Sequence, residues 1–470
     1  MQVLPRRADL SLNYQKLYQF LLASQQNCPR NCTQFVSISL PVASIDPLVV
    51  LEKMTQPQQL NFYFENKNKT EAIAAIDTAA VLQLSGENRF NQAQTFINSC
   101  LEHTSLFSTI NHPFAGPHFF CSFSFFNEIY QANYPFPAAT VFLPRWQIAK
   151  QGDRCVLVAN LRMKADTDLE ALFQEVWHKI QIVSSLEGIS KEAENLSQDF
   201  LKEDVTSIEH FKQSVLDSSE LIKAKHLNKI VLAHAIDVNA KRAFNLFQCL
   251  SNLRILYPDC YVFCFSNGKG QNFIGASPER LISTRDRQLL TDALAGSISR
   301  GKTVAEDTEL ANRLLHSEKD KREHMVVIDF ITNHLQQLGI IPQLLPPCIR
   351  QLANIQHLWT PIHAKVPKEV HPLEIVAALH PTPAVAGDGR NIACAKIRCF
   401  EKFERGLYAA PLGWVNHQGN SEFIVGIRSA LIDGDRARLY AGAGIVAGSE
   451  PDREIAEVQL KLQALLKALV

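Results

Sequence analysis

Residues 317–324 read Ser-Glu-Lys-Asp-Lys-Arg-Glu-His. Ser317 followed three residues later by Asp320 has the spacing of a capping box. Met325, Val326, Val327, Ile328, Phe330 and Ile331 supply the apolar run behind it, so a helix is expected over 318–338. On that helix Asp320 and Glu323 share one face, a turn apart. A second acid pair at the same spacing, Glu454 and Glu457, follows the start signal Ser449-Glu-Pro-Asp452, with Pro451 in the first turn of a helix expected over 450–469. Two helices offering such pairs are able to converge on a hard cation such as Mg²⁺, which takes one or two carboxylates and leaves its other positions to water or an anionic ligand. The alternative is that both pairs are solvated first-turn acids complementing helix dipoles. The rest of the chain has to decide.

The chain carries 47 basic and 47 acidic residues in 470, with no Lys/Arg run of five or more. That balance argues against nucleic acid or an anionic membrane as partner. The length accommodates one large α/β domain or two or three smaller ones. Eleven cysteines are scattered without a Cys-x-x-Cys, and Cys28/Cys32 and Cys260/Cys264 lack a matching Cys/His pair, which argues against zinc. They read as reduced, buried thiols. The first residues, Met-Gln-Val-Leu-Pro-Arg-Arg-Ala-Asp, have no signal-peptide core, and no apolar stretch reaches membrane-spanning length. The expectation is a soluble cytoplasmic protein.

Residues 1–200 contain short β-rich runs, such as Phe35–Leu40, 119–126 and Ala139–Pro144. The Phe119, Phe120, Phe123, Phe125, Phe126 run reads as a half-buried strand with a Ser-interrupted apolar face rather than an aromatic binding platform. Residues 164–225 turn helical and charged. There Thr206 and Glu209 suggest another capping box, and Ile208, Phe211, Val215 and Ile222 mark a buried stripe, so this segment is expected to pack on the surface as a connection. From about 227 strands are expected at 229–237, 261–266, 272–276, 289–295, 411–416, 421–432 and 436–443, and a further helix at 303–315. The 421–432 and 436–443 runs, joined by Asp-Gly-Asp, should be antiparallel neighbours, which argues against a purely parallel sheet.

Several residues of this half could carry chemistry. Lys229 opens the strand Lys-Ile-Val-Leu-Ala and shares a face with Val231, Ala233 and Ala235; beside small apolar neighbours it can serve as a base, or it is an ordinary strand-end lysine. Glu279, in the turn Gly275-Ala-Ser-Pro-Glu-Arg-Leu281, can act as a general acid if held out of water, or pair with Arg280. Arg428 is expected on the strand from Phe423 to Ala430, sharing a face with Gly426 and Ala430. A forked guanidinium beside small residues suits a carboxylate ligand. Lys461 lies one turn after Glu457, which is also the spacing of a surface ion pair. The run from Gly442 to Gly448 does not fit a dinucleotide fingerprint, because only one helix follows it; close approach of backbone to an anionic ligand suits it better.

Taken in order, these motifs resemble the chorismate-binding enzymes, a family that includes isochorismate, salicylate, anthranilate and aminodeoxychorismate synthases. The resemblance covers about 227–470. It rests on Lys229-Ile-Val-Leu-Ala, Gly275-Ala-Ser-Pro-Glu-Arg-Leu, Leu294-Ala-Gly-Ser, Ser317-x-x-Asp-x-x-Glu-His and His380-Pro-Thr-Pro-Ala-Val-x-Gly. It continues through Glu404-x-Gly-x-Tyr408, Ile427-Arg-Ser, Gly442-Ala-Gly-Ile and Ser449-x-Pro-x-x-Glu454-x-x-Glu457-x-x-x-Lys461. It implies Mg²⁺ held by Glu323 and Glu457, with Asp320 and Glu454 reaching it directly or through water, and a chorismate whose ring carboxylate meets the metal. Tyr408 and Arg428 would take the enolpyruvyl carboxylate, while Gly296, His357, Gly442 and Lys461 line the site. Lys229 as base would activate water toward ring carbon 2, and Glu279 as acid would protonate the hydroxyl leaving carbon 4.

Within the family, Lys229 favours water over ammonia as nucleophile, and Pro383-Ala384-Val resembles members that stop at isochorismate. Threonine in the corresponding segment goes with the salicylate synthases. His234 and Ala386 depart from the family's usual arginine and cysteine. The implied fold is α/β (α+β): antiparallel β-sheets packed together and wrapped by helices, with residues 1–200 integrated into the same body and 201–470 forming the catalytic domain. The implied protein is an isochorismate synthase of the quinone-pathway type, monomer or dimer, with a salicylate synthase or a non-catalytic chorismate-binding protein as alternatives.

Overall fold

The computed structural model describes residues 7–28, 33–189, 199–352 and 355–469. Among them twenty strands hydrogen-bond into one continuous network, and every ladder but one is antiparallel. The exception pairs Gln34–Val42 with Thr104–Ser108. Antiparallel sheets packed face to face and wrapped by helices are the architecture expected from the short, closely spaced runs of the C-terminal half.

The first half of the chain is laddered directly to the second. Leu60–Asn66 pairs with Tyr261–Asn267, and His118–Phe123 pairs with Pro411–Asn416. These junctions bury aromatic side chains on both faces, which explains the Phe-rich stretch differently from its Phe/Ser alternation. All six residues of His118–Phe123 are buried, and the strand ends at Phe123. Phe120 packs between Phe62 and Phe142 while Phe119 meets Phe96, so neither face is left to water.

Around the future site, four strands carry most of the geometry. Lys229–Ala240 pairs along nearly its whole length with Arg436–Val446. Gln288–Ser299 pairs with Ile355–Lys365, and the register slips by one residue at Gly296, whose φ of +75° suits glycine. The strand expected over 421–432 is in fact two, Ser421–Val425 and Ser429–Asp433, broken at Gly426-Ile427-Arg428. Arg428 sits in that break with φ +50° rather than in a pleat. Ser429–Asp433 then turns into Arg436–Val446 through a two-residue connection with Gly434 at φ +61°.

The two acid-bearing helices are Glu318–Gln337 and Pro451–Leu469. Ser317 caps the first by accepting from the Asp320 amide at 3.3 Å, but the return half of the box is absent. The Asp320 carboxylate accepts from the Ser317 hydroxyl instead, and the Ser317 amide goes to Leu314. Farther up the chain the cap of Ile208–Lys223 is Ser207, not Thr206, because it is the Ser207 hydroxyl that reaches the His210 amide. Phe211, Val215 and Ile222 of that helix are buried as the stripe requires, and Ile208 is half-buried.

Candidate active site

One cleft opens among these elements. Lys229, Glu279, Gly296, His357, Ala384, Tyr408, Arg428, Gly442 and Lys461 all line it, and so do Glu323 and Glu457. Asp320 and Glu454 do not. They stand one turn nearer the starts of their helices, Asp320 against Gly296 and Glu454 beside the Ser449 hydroxyl. Val231, Leu294, Ser297, Val385, Ile427, Tyr440 and Gly444 line the cleft as well; apart from Gly444, which belongs to the Gly442–Gly448 run, none stands out in the sequence as a ligand contact. Val231, Leu294 and Tyr440 are strand residues of ordinary patterning.

Lys229 is 3 % exposed, and its Nζ donates to Glu323 Oε1 at 2.7 Å. The surface-lysine alternative is thereby excluded for this residue. The contact also binds the strand that opens at Lys229 to the Glu318–Gln337 helix, and the ammonium holds the Glu323 carboxyl below its usual pKa against the opposing effect of burial. A side chain at Gly444 would crowd this pair, with its Cβ 3.1 Å from Lys229 Cε and 3.4 Å from Glu323 Oε1.

Glu279 has no such compensation. Its neighbour Arg280 turns away to Asp292 at 2.8 Å, which removes the salt bridge that the adjacent residues suggested. Burial therefore dominates and pushes the Glu279 carboxyl up to about 7, with Lys229 pulling in the opposite direction and Asp292 adding to the rise. A carboxyl group poised near neutrality is able to keep a proton and give it up.

Across the cleft, the break at 426–428 aims Arg428 inward. Its Nη1 is buried and without a hydrogen-bond partner among the described residues. A guanidinium nitrogen left dry is costly unless an acceptor arrives. Tyr408 lies near, its ring stacked on Tyr440 at 5.2 Å, and its hydroxyl would be struck by any Cβ at Gly442, at 2.9 Å. His357 is held opposite Ser297 by the slipped register at Gly296. Burial, with Arg428 and Lys461 nearby, drives its pKa well down, so the ring is neutral at pH 7.

At the helix end of the cleft, Lys461 donates to the Gly442 carbonyl at 2.9 Å and pairs with Glu457 at 2.8 Å. The one-turn ion pair and the cleft-lining position therefore coexist. Glu454 is pushed up by burial and, after it, by the charge of Glu457. Among the described residues no three His, Cys, Asp or Glu side chains are already drawn together tightly enough to hold an ion. The donor set is nonetheless of the class a hard cation takes. Glu323 and Glu457 bring carboxylates into one cleft from two helices, each neutralised here by a lysine ammonium.

The fold and this cleft place the protein in a recognisable class. Residues 20–470 match the family described as chorismate binding enzyme, and the chain belongs to it. Among curated proteins it is 30% identical over 458 residues to isochorismate synthase MenF of Bacillus subtilis, covering 93% of this chain and 94% of that one. It is 39% identical over 260 residues to the salicylate biosynthesis isochorismate synthase of Pseudomonas aeruginosa, covering 55% of this chain and 54% of that one. Among solved structures it superposes on MenF, the menaquinone-specific isochorismate synthase from Escherichia coli. That match has a TM-score of 0.80 and 27% identity, and covers 98% of this chain and 100% of that chain.

Proposed function

We propose that this protein is an isochorismate synthase, an isomerase that converts chorismate to isochorismate by adding water at ring carbon 2 and expelling the hydroxyl of carbon 4. The observation that carries the reading is the pairing, in one cleft, of a buried lysine with a buried carboxyl whose pKa lies near 7, facing a guanidinium with an unmet donor. Chorismate is a dianion, and the cleft offers Arg428 and Lys461 as cations and Tyr408 as a hydroxyl donor.

In this scheme Lys229 takes the proton of the attacking water and Glu279 delivers one to the departing hydroxyl, so that no free hydroxide forms at neutral pH. Arg428 and Tyr408 receive the enolpyruvyl carboxylate. Gly296, Ala384 and Gly442 leave room for the ring, and neutral His357 offers a hydrogen bond without a charge. Glu323 and Glu457 would hold Mg²⁺, with Asp320 and Glu454 supporting them; the ion would offset the charge of the ring carboxylate.

Ala384 supports the isochorismate reading over the salicylate one, since the cleft there presents a methyl group. The likeness to a menaquinone-specific enzyme supports quinone biosynthesis, menaquinone or by extension phylloquinone, as the pathway served, and we take the enzyme to be cytoplasmic; among the described residues no helix is long and apolar enough to cross a membrane. We retain 201–470 as the catalytic domain, with 1–200 built into the same body. The test is to incubate the purified protein with chorismate and Mg²⁺ and identify the product by NMR. Isochorismate alone is expected; salicylate with pyruvate, or chorismate bound but never turned over, overturns the reading.

A further inference from the structure

Behind the cleft lies a fully buried ion pair that touches none of the space a ligand would occupy. Arg405 and Glu401 have side chains 0% and 4% exposed and meet through both guanidinium edges, Nε to Oε2 at 2.8 Å and Nη2 to Oε1 at 2.5 Å. Desolvating two charges is expensive, and a packed apolar pair would often serve stability equally well. The remaining contacts of this pair indicate what it supplies instead.

The Lys229–Ala240 strand has a strand partner on both edges only from Ile236 onward, where Phe200–Asp204 joins it. Ahead of that point no strand covers the second edge; the 386–388 backbone meets its start, with the Val231 amide donating to the Ala386 carbonyl at 2.8 Å and the Asp388 amide to the Lys229 carbonyl at 3.1 Å, and side chains take the groups beyond. Arg405 Nη2 donates to the Val231 carbonyl at 2.9 Å, and the Ala233 amide donates to Glu401 Oε1 at 2.7 Å. The same guanidinium donates through Nη1 to the Val385 carbonyl at 2.9 Å, beside Ala384. Its plane also lies 4.3 Å from the Phe125 ring, and the Arg405 carbonyl accepts from the Tyr408 amide at 2.8 Å. The guanidinium fork therefore joins two walls of the cleft, Val231 two residues after the lysine and Val385 after Ala384, while the Arg405 backbone opens the turn that leads to Tyr408.

We infer that Arg405, buttressed by Glu401, is a positioning residue that sets the distance between the Lys229 wall and the wall that receives the substrate's carboxylate. The inference rests on the isochorismate synthase reading of the cleft. Arg405 does not touch substrate; it fixes the backbone from which Lys229 and Tyr408 project. Misplacing a reacting group by about an ångström costs on the order of a hundredfold in rate. Lysine cannot replace the fork, because a single ammonium cannot span two carbonyls and a carboxylate held in one plane.

The experiment compares wild type with Arg405→Lys and with the apolar double variant Arg405→Met/Glu401→Leu, using chorismate and Mg²⁺. The double variant removes both charges together and so avoids stranding one of them. The expected result is a folded double variant that melts several degrees below wild type, because the Val231 and Val385 carbonyls and the Ala233 amide lose their partners, with kcat down roughly a hundredfold and KM within about threefold. Arg405→Lys should lose about tenfold or more in kcat and not rescue. Wild-type kcat in either folded variant, or a change confined to KM, overturns the inference. If the double variant does not fold, Arg405→Lys decides alone. Failure of the wild type to make isochorismate would instead strike the reading of the cleft.

Discussion

Two carboxyl groups that feel the charge of the same lysine behave oppositely in this cleft. Glu323 receives the Lys229 ammonium at 2.7 Å and is held below its ordinary pKa, whereas Glu279 lacks a close cation and rises to about 7. The chemical group is the same, and the difference lies in which element presents it. Glu323 comes from a helix whose face packs toward Lys229, while Glu279 comes from a turn whose obvious partner, Arg280, is taken by Asp292. Environment thus divides the acids into one suited to holding charge and one suited to carrying a proton.

The comparison breaks most severely if the proton carriers are removed. Lys229→Ala and Glu279→Gln should each lower kcat for isochorismate formation by about 10²–10⁴-fold, the usual share of general acid–base catalysis. Chorismate affinity, measured by equilibrium binding, should remain within a few-fold. Full activity in either variant would remove that residue from the mechanism. Arg428→Ala should act on the other side of the distinction, chiefly raising KM. A charge-assisted hydrogen bond is worth about 1.5–3 kcal/mol, so a rise of roughly ten- to a hundredfold is expected in steady-state kinetics.

Glu279 also predicts a pH dependence. If it donates a proton, kcat/KM should decline as pH rises through about 7, and Glu279→Gln should abolish that limb along with the activity. Stability carries the same signature. Because the folded pKa of Glu279 exceeds its unfolded value, its contribution is fully present below about 4.5 and is lost as pH climbs through about 7. At pH 8 the loss is roughly 3 kcal/mol at about 1.4 kcal/mol per unit. Replacing Glu279 with Gln should therefore raise the melting temperature at pH 8 while leaving it little changed at pH 4. A variant less stable at pH 8 would show that the carboxyl is not held against its charge.

How much of this was legible in the sequence depends on the range of the signal. The acid pairs were readable because helical spacing is local: Ser317 and Pro451 mark starts, and one-turn periodicity follows. Lys229 and Glu279 could be named as candidates, but the features that distinguish them, the approach of Glu323 and the capture of Arg280 by Asp292, join residues distant in sequence or in register. The strand expectation for Arg428 rests on Phe423, Ile424, Val425 and Ile427; the break falls at Gly426-Ile427-Arg428, where the Ala276 amide donates to the Arg428 carbonyl at 3.2 Å. The helix Pro372–Leu379 was missed because its cap is His371, an imidazole in a position where hydroxyl and carboxyl side chains are sought. Ile355–Lys365, which carries His357, was obscured by Pro361 and by its mixture of polar and apolar residues. Arg405 gave no local sign of its role, since its partners on Val231 and Val385 are backbone carbonyls that any sequence would supply.

The central claim is that Lys229 and Glu279 act on opposite ends of a water-for-hydroxyl exchange. Incubation with chorismate and Mg²⁺ in H₂¹⁸O, with mass spectrometry of the isolated isochorismate, tests it directly. The account predicts one solvent-derived oxygen at ring carbon 2 in wild type. Unlabelled isochorismate, formed by direct transfer of the carbon 4 hydroxyl, would contradict it.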